Sequence, residues 1–462
     1  MNPKSIFVLL ALVTLFVPGF ATETFKPADP NDPVPIQCQQ GSGDVYTYIA
    51  WTQISGSRPA TEDKPARVTG LVRVVIYGGA EALTIFTPRI RIDGQTDKMY
   101  SRLPYNVDFN CFPISVSEYP VHSGHKKIEI LFDDNTTTRV PSPVADVKNV
   151  GVIGDTGCRN NKKQSCGEQK DWPFKTIAAQ VAKEKPDLVL HMGDYRYSKV
   201  NCPGMTCADN WQNWLYEFFL PAKPLLDVAP IAFSRGNHES CNGGAGDGWF
   251  LLLQNQFSSN VNEITCKVKD EATYKYTKLW SFDTLAGEDK HRFFMLDSCN
   301  ADDAKADNAG PFKTMADEVK AQCEKGGFKS ATLVTHKPVW AAKKASQINL
   351  TLQTAFGDTL PKPITMAQGA HIHNHEVVTF AKDSGRVPQI VTGNSGVQIN
   401  TTVKSGNHTI AGKEAQVEAG TQFGFDLWKQ DPKSPSGWSI DLHKLTFKDG
   451  KPVWTKKKAL SE

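Results

Sequence analysis

Polar side chains able to bind metal ions follow a series of short apolar runs in this 462-residue sequence. In chain order, the residues that follow these runs are Asp155, Asp194, Asn237, His336, His371 and His373. Carboxylate, amide and imidazole groups bind hard and borderline metal ions. Because ligands of open α/β sheets bind beyond the carboxyl ends of the strands, we expect these groups to converge on one metal site.

Each of these motifs also has an ordinary structural interpretation. A Gly-Asp pair is usually a turn, Gly-Asn-His-Glu is compatible with a helix cap, and His-x-His is more often a surface or core pair. His371 and His373 add a geometric condition, because alternate residues of a strand face opposite sides. Both imidazoles can reach one site only from a bent loop. The ordered series is therefore more informative than any single motif.

The apolar pattern also predicts the elements that position these residues. From residue 147 onward, apolar runs alternate with segments of helical spacing such as 173–183, which predicts an α/β fold. Residues 22–145 are rich in proline, threonine and β-branched residues, which favours short strands and turns. We therefore predict a signal peptide at 1–21, a small mostly-β N-terminal domain at 22–145 and an α/β domain at 146–462.

The N-terminus and the overall charge limit the class of protein. Lys4 precedes the apolar stretch 6–17, and Gly19-Phe20-Ala21 has the pattern of a signal-peptide cleavage site. An uncleaved anchor is the alternative, although the stretch is short for a membrane span. The net charge of +3 does not favour a nucleic-acid-binding protein. We expect a secreted or periplasmic protein with no membrane span after cleavage and an undetermined oligomeric state.

The ten cysteines support export, because an even number in an exported chain favours disulfides. No CxxC pair occurs, which argues against a thiolate zinc site. Connectivity does not follow from sequence, and the short-range pairs Cys158–Cys166 and Cys202–Cys207 are our expectation. Buried thiols are the alternative.

The motifs in this order resemble those of the calcineurin-like metallophosphoesterases and, among them, the purple acid phosphatases. The resemblance covers about residues 147–445 and follows the family pattern GDxG, GDxxY, GNH(D/E), VxxH and GHxH. The matching segments are Gly154-Asp155-Thr156-Gly157, Gly193-Asp194-Tyr195-Arg196-Tyr197, Gly236-Asn237-His238-Glu239, Leu333-Val334-Thr335-His336 and Gly369-Ala370-His371-Ile372-His373. The resemblance implies a four-layer metallophosphoesterase sandwich, in which two β-sheets are flanked by helices.

The resemblance also implies two metal ions, with Asp194 bridging them. The first ion, Fe(III), would be held by Asp155, Asp194, Tyr197 and His373. The second ion, a divalent Zn, Fe or Mn, would be held by Asp194, Asn237, His336 and His371. Most relatives outside the purple group place a histidine ligand where this chain has Gly157, and Tyr197 would supply the missing donor. An ordinary turn tyrosine is the alternative for Tyr197.

Two positions depart from the family pattern. Leu333 replaces a valine, which is a like-for-like apolar change. Ala370 replaces a glycine, and alanine would resist a positive φ if the backbone required one there.

The function implied by the resemblance is that of a secreted, acid phosphatase-like hydrolase of phosphate monoesters. A metal-bound hydroxide would attack the phosphorus. Asp194 and His238 would be catalytic, and Asn237 and His238 would contact a small phosphate-ester substrate. A structural role is the alternative for His238. Two other functions remain open: a phosphodiesterase acting on nucleotides or lipid headgroups, and a non-catalytic surface protein.

Several neighbouring residues are weaker candidates. His375 and Glu376 are candidates for orienting the ligands, and Asn394 could face the site. Arg159 and Arg196 could meet an anionic substrate, although solvated arginines are more common. His191 and Tyr195 are expected to pack in the core.

Overall fold

The computed structural model describes residues 24–27, 45–59, 66–78, 87–102, 114–197, 209–257, 266, 277–286, 289–306, 309–342 and 349–460. The predicted signal peptide and the expected Cys202–Cys207 pair lie outside these residues.

Strands are the main elements of the described chain. In chain order they are β1 (Thr24–Pro27), β2 (Val45–Arg58), β3 (Arg67–Tyr77), β4 (Arg89–Ile92), β5 (Gln95–Lys98), β6 (Tyr100–Ser101), β7 (Ile114–His122), β8 (Ile128–Leu131), β9 (Thr137–Val140), β10 (Asn149–Ile153), β11 (Leu188–His191), β12 (Ile231–Phe233), β13 (Trp280–Ala286), β14 (Asp289–Leu296), β15 (Ser330–Thr335), β16 (Ile364–Gly369), β17 (His375–Phe380), β18 (Gln389–Thr392), β19 (Gly406–Ile410), β20 (Lys413–Gly420), β21 (Phe423–Gln430), β22 (Trp438–Lys448) and β23 (Lys451–Leu460).

Helices cover the two outer faces of the strands. They are α1 (Phe174–Lys183), α2 (Trp211–Trp214), α3 (Leu220–Leu226), α4 (Gly246–Gly248), α5 (Ala309–Lys325) and α6 (Leu350–Phe356), with π-helical segments at Leu215–Phe219 and Trp249–Leu253 and a 3₁₀ turn at Lys382–Ser384. In α1 the buried residues Phe174, Ile177, Ala178 and Val181 follow the spacing of one helix face. None of the described helices is long and apolar enough to cross a membrane.

The larger sheet joins the N-terminal region to the rest of the chain. Its order is β23-β22-β21-β10-β11-β12-β2-β3-β7-β6, with β1 beside β2. Strands β10, β11 and β12 are parallel, and β12 joins β2 where Ile231 lies beside Gln53. The mostly-β N-terminal region thus extends the main sheet. No break in the sheet marks residue 145, and the division of the chain into two domains there stays a prediction.

The second main sheet has the order β13-β14-β15-β16-β18-β17-β20-β19. Strands β14, β15, β16 and β18 are parallel to one another. A separate small sheet, β5-β4-β8-β9, packs on the N-terminal strands through Ile90, Ile128 and Ile130 against Val72 and Val74.

The two main sheets pack face to face around an apolar core. Val150 and Leu190 from the first sheet lie in the same cluster as Phe293, Val334 and Met366 from the second. The opposite face of the first sheet is covered by α1 to α3, and that of the second by α5 and α6. Burial of apolar area on both faces of each sheet is the main stabilising contribution to this arrangement. The predicted four-layer sandwich is confirmed.

Candidate metal centre

The predicted ligands lie in loops that leave the carboxyl ends of parallel strands. These loops follow Ile153 of β10, His191 of β11, Phe233 of β12, Thr335 of β15 and Gly369 of β16. Because the two sheets are stacked, their carboxyl ends meet along one edge of the sandwich, where α/β proteins bind ligands. All of the predicted ligands are found in two clusters at this edge.

The first cluster combines two carboxylates, a phenol and an imidazole. The ligand atoms of Asp155, Asp194 and His373 lie within 4.8 Å of one another. The Tyr197 hydroxyl oxygen lies 2.7 Å from Asp155 Oδ1, 2.8 Å from Asp194 Oδ2 and 3.0 Å from His373 Nε2. The tyrosine that sequence places three residues after Asp194 therefore reaches the centre of this donor set.

The second cluster contains an amide and two imidazoles around the same Asp194. The ligand atoms of Asp194, His336 and His371 also lie within 4.8 Å of one another. His336 Nε2 is 3.0 Å from Asn237 Oδ1 and 3.3 Å from Asp194 Oδ1. Asp194 is thus shared between the clusters, and its two carboxylate oxygens allow it to bridge two ions.

Hydrogen bonds to the imidazoles direct one ring nitrogen of each towards the second cluster. His336 Nδ1 lies 2.7 Å from the Met192 carbonyl oxygen, to which it donates, so that Nε2 faces the other donors. His371 Nε2 lies 3.4 Å from Asp303 Oδ2. His371 Nδ1 is buried and has no hydrogen-bond partner among the described residues. Histidines that bind metals generally donate their second ring N–H to a carbonyl or carboxylate.

The electrostatics of the clusters favour a bound cation. Burial raises the pKa of Asp155 to about 8, and the neighbouring Asp194 carboxylate adds to this rise. Burial also raises the pKa of Tyr197 well above its ordinary value, again with a contribution from the two carboxylates. Burial opposes the charged form of His336, yet Asp194 and Asp155 raise its pKa to about 9. A cation would reverse the cost of ionising these buried oxygens, so the donor set fits metal ions.

Four of the ligand residues adopt a left-handed backbone conformation. The φ angles are +53° at Asp155, +57° at Asp194, +70° at His371 and +58° at His373. Such angles cost a non-glycine residue on the order of 1–3 kcal/mol and are concentrated at functional sites. They bend the loop after β16 so that His371 joins one cluster and His373 the other, as the sequence required. Ala370 does not adopt a positive φ, so the backbone accommodates its replacement of glycine.

Glu239 connects two ligand loops, a role the sequence did not reveal. Its buried carboxylate accepts the backbone N–H groups of Asp194 at 2.9 Å, Tyr195 at 3.0 Å and Gly236 at 3.1 Å. These bonds hold the loop after β11 against the loop after β12. The sequence signal for this role was the position of Glu239 as the fourth residue of Gly-Asn-His-Glu. A carboxylate buried beside the ligand loops needs several hydrogen-bond donors.

An open cleft of about 370 Å³ lies over the two clusters. Its lining includes Asp194, Asn237, His238, His371 and His373. The backbone N–H of His238 donates to Asp194 Oδ1 at 3.0 Å, and its ring lies 4.1 Å from the Tyr197 ring, centroid to centroid. The cleft therefore exposes the His238 imidazole beside the candidate metal ligands. Its volume is within the range of small-molecule sites.

The two candidate arginines have different environments. Arg159 is exposed, lines the cleft and lies 5.4 Å from the Tyr197 ring centroid. Arg196 is buried and bonds to the Gly244 carbonyl oxygen at 3.2 Å, with Glu217 3.5 Å away. Arg196 is therefore neither solvated nor part of the cleft lining, because its charge is neutralised inside the protein.

The weaker candidates near the ligand loops have structural contacts. Glu376 accepts hydrogen bonds from Asn374 Nδ2 at 2.8 Å and from the Ala342 N–H at 2.9 Å. Asn394 Nδ2 donates to the Gln422 carbonyl oxygen at 2.8 Å. His375 Nε2 lies 3.0 Å from Asp426 Oδ1. These groups brace the segments around the ligands rather than line the cleft.

His191 and Tyr195 pack in the core as the sequence indicated. Both are buried, and their rings stack at 4.0 Å between centroids. His191 Nε2 lies 2.9 Å from Thr156 Oγ1, and the Tyr195 hydroxyl donates to the Ser234 carbonyl oxygen at 2.7 Å.

Two disulfides fasten loops next to the site. The expected Cys158–Cys166 bond is present, and Cys241–Cys266 is a second bond that the sequence did not indicate. The first closes the loop that follows the Asp155 motif, and the second joins the segment after His238 to Cys266. Both bonds are compatible with an oxidising compartment.

Comparison with known proteins shows the family of this chain. The family model for calcineurin-like phosphoesterases matches residues 148–378, half of the chain, and the protein belongs to that family. The family comprises metal-dependent phosphoester hydrolases with a binuclear metal site.

A solved structure with the same fold shares little sequence identity with this chain. A structure described as that of PhoD is 10% identical, with a TM-score of 0.51 and coverage of 88% of both chains. A structure described as GAP50, the anchor in the inner membrane complex of Plasmodium, is 13% identical, with a TM-score of 0.41 and coverage of 68% of this chain and 89% of that one. The likeness to PhoD concerns the fold alone. No curated protein matches the chain.

Proposed function

We propose that this protein is an exported, acid phosphatase-like hydrolase of phosphate monoesters that uses Fe(III) and a divalent ion. The observation that carries the proposal is the Tyr197 hydroxyl, which lies 2.7–3.0 Å from donor atoms of Asp155, Asp194 and His373. A phenolate is a hard anionic donor and suits a ferric ion. Asp155, Asp194, Tyr197 and His373 would hold that ion, and Asp194, Asn237, His336 and His371 would hold the divalent one.

The bound ions would polarise the phosphoryl oxygens and lower the pKa of water at the site. The residues of the chain position the substrate around them. Asn237 and His238 face the cleft from one loop, where they can contact a phosphoryl group. The His238 imidazole, which lies beside Tyr197, is suited to stabilise the transition state or to protonate the leaving oxygen. Asp194 holds this loop in place by accepting the His238 backbone N–H.

The charge of the cleft supports a monoester, which carries more negative charge than a diester. Arg159 and Lys163 line the cleft, and Asp194 is the one carboxylate among its described lining residues. Positively charged clefts concentrate anionic substrates and accelerate their association. A dianionic phosphate ester therefore fits this lining.

Steady-state hydrolysis of an aryl phosphate monoester and the matching diester tests the proposal. We expect a higher kcat/KM for the monoester, and a loss of roughly 10²–10⁴-fold in kcat for His238→Ala. His408→Ala on β19 is the matched control, because that imidazole belongs to an edge strand and is bonded to the Lys404 carbonyl oxygen. Asn237→Ala should lose activity together with metal.

Other outcomes of this experiment would favour the alternatives. A higher kcat/KM for the diester would identify a phosphodiesterase. Hydrolysis of neither ester by fully metal-loaded protein would favour a non-catalytic binding protein. Export is tested separately by mass spectrometry of the protein recovered from its native compartment, for which we expect a chain that begins at residue 22.

A further inference from the structure

One wall of the cleft is a short cross-linked loop that carries two cationic side chains. The Cys158–Cys166 disulfide closes this loop, and Arg159 and Lys163 from it line the cleft. Both side chains are exposed. We name residues 158–166 the cationic loop.

Hydrogen bonds within the cationic loop fix its conformation. Asn161 and Gln164 pair through their backbone groups at 3.0 and 3.1 Å, which makes a tight turn with Lys162 and Lys163 at its tip. Asn161 Oδ1 accepts the Lys163 N–H at 2.8 Å, and Gln164 Oε1 accepts the Arg159 N–H at 3.0 Å. The turn and the disulfide restrict the conformations of the free loop. Substrate binding therefore costs less conformational entropy of the loop.

A buried glutamine attaches the cationic loop to the segment that leads into a second wall of the cleft. Gln164 is 2% exposed, and its Nε2 donates to the Gly396 carbonyl oxygen at 2.8 Å and to the Asp171 carbonyl oxygen at 3.0 Å. Asn161 Nδ2 also lies 3.4 Å from Gln398 Oε1. The two walls are therefore held at a fixed separation.

This second wall, residues 398–402, is attached to the metal ligands. The Val397 N–H donates to the Asp155 carbonyl oxygen at 2.8 Å, and the Asn400 N–H donates to the His373 carbonyl oxygen at 2.8 Å. The cleft-lining residues of this wall are Gln398, Ile399, Asn400, Thr401 and Thr402, none of which is charged. Apart from the candidate ligands and His238, the described lining of the cleft thus combines two positive charges with uncharged side chains. The hydrogen bonds from Val397 and Asn400 hold the second wall in a fixed position relative to the ligands.

We infer that the cationic loop binds a second anionic group on the substrate, beyond the phosphate that is hydrolysed. The natural substrate would then be a phosphate ester that carries another phosphate or a carboxylate. The metal ligands and His238 line the same cleft as Arg159 and Lys163, and the Arg159 guanidinium carbon lies 5.4 Å from the Tyr197 ring centroid. A substrate whose reacting phosphate lies at the two clusters would therefore bring a second anionic group within reach of the cationic loop. This inference rests on the proposed phosphoesterase activity and adds the class of substrate to it.

A matched set of three aryl phosphates tests the inference. The compounds are 4-methylphenyl, 4-(carboxymethyl)phenyl and 4-(aminomethyl)phenyl phosphate, in which a CH₂ group insulates the leaving oxygen from the added charge. We expect kcat/KM to be highest for the carboxymethyl and lowest for the aminomethyl compound. The expected advantage of the carboxymethyl over the methyl compound is on the order of fivefold at low salt, and less at high salt.

Variants of the cationic loop assign the effect to its charges. In Lys163→Ala and in Arg159→Ala, we expect the ratio of kcat/KM between the carboxymethyl and methyl compounds to fall towards one. Lys162→Ala is the matched control, because Lys162 is also exposed and lies on the same turn but is not among the residues that line the cleft. It should retain the wild-type ratio.

The outcomes separate this inference from the proposed function. Equal kcat/KM for the three compounds, or an equal loss of discrimination in Lys162→Ala, would overturn the inference and leave the phosphatase activity in place. Hydrolysis of none of the three compounds would contradict the proposed function and the inference together.

Discussion

At the scale of single residues, the positions of the candidate ligands depend on carboxylates that hold them from outside the two clusters, Asp303 and Glu239. The ligand types could be recognised because each follows an apolar run in a fixed order. Asp303 could not be recognised from the sequence, because it belongs to no motif and lies 68 residues before His371, whose imidazole it contacts. Glu239 belongs to the Gly-Asn-His-Glu motif. Its hydrogen bonds to the Asp194 loop could not be predicted, because they depend on the pairing of β11 with β12.

Asp303 provides a direct test of the second metal cluster. Its Oδ2 lies 3.4 Å from His371 Nε2, an arrangement that fixes the orientation of a ligating imidazole. We expect Asp303→Asn to weaken the binding of one of the two metal ions by roughly 10–100-fold. Metal-to-protein ratios after dialysis against buffered metal would measure this change without reference to activity.

The neighbouring residue provides the control for Asp303. Asp302 Oδ1 accepts the backbone N–H groups of Ala304 at 2.8 Å and Lys305 at 3.1 Å. Asp302→Asn should therefore retain wild-type metal affinity. Unchanged affinity in Asp303→Asn as well would show that this carboxylate does not orient His371.

His291 should make the protein less stable in acid. Burial lowers the pKa of His291 from 6.5 to about 3. Between these values the unfolded chain binds a proton that the folded protein does not, so the stability falls as the pH decreases below 6.5. At pH 5 this contribution is about 2 kcal/mol relative to pH 7.

Denaturant unfolding of His291→Gln at pH 7 and pH 5 would isolate this contribution. The variant should lose about 2 kcal/mol less than the wild type between the two pH values, whatever its stability at pH 7. A pH dependence identical to that of the wild type would contradict the assignment.

At the scale of elements, the N-terminal strands hold the segment that follows His238. Arg102, the residue after β6, donates to the carbonyl oxygens of Phe250 at 2.7 Å and Leu251 at 2.8 Å. Arg73 of β3 donates to the carbonyl oxygen of Leu252 at 2.7 Å. These carbonyls belong to the π-helical segment Trp249–Leu253, and the arginines satisfy groups that a helix end leaves without partners.

Glu118 of β7 neutralises both arginines. It lies 3.0 Å from Arg73 and 2.9 Å from Arg102, and all three side chains are fully buried. Removal of a buried counter-charge leaves uncompensated charge in the interior. We expect Glu118→Gln to lower the free energy of unfolding by about 3–5 kcal/mol, as measured by denaturant titration.

A second ion pair provides the contrast for Glu118. Arg91 and Glu129 are 2.8 Å apart, with side-chain exposures of 36% and 14%. Glu129→Gln should change the free energy of unfolding by at most about 1 kcal/mol. Equal effects of the two substitutions would show that burial does not decide the contribution of the Glu118 network.

At the scale of the whole molecule, the sequence predicted the layers better than their connections. Alternating apolar strands and helical segments indicated an α/β fold, because strands and helices each have a recognisable period. The four-layer sandwich was implied by the family resemblance. The period does not indicate which sheet a strand joins. The pairing of β12 with β2, through Ile231 and Gln53, therefore could not be predicted. The Cys241–Cys266 bond could not be predicted either, because disulfide connectivity depends on where distant segments lie in the folded protein.

The visible absorption spectrum of the mature protein, measured together with its metal content, tests the central claim most directly. The position of the Tyr197 hydroxyl among Asp155, Asp194 and His373 predicts a broad band from phenolate-to-iron charge transfer. We expect one iron ion per protein molecule, and loss of the band in Tyr197→Phe. A colourless protein that contains two divalent ions and no iron would contradict the assignment of Tyr197 to a ferric site.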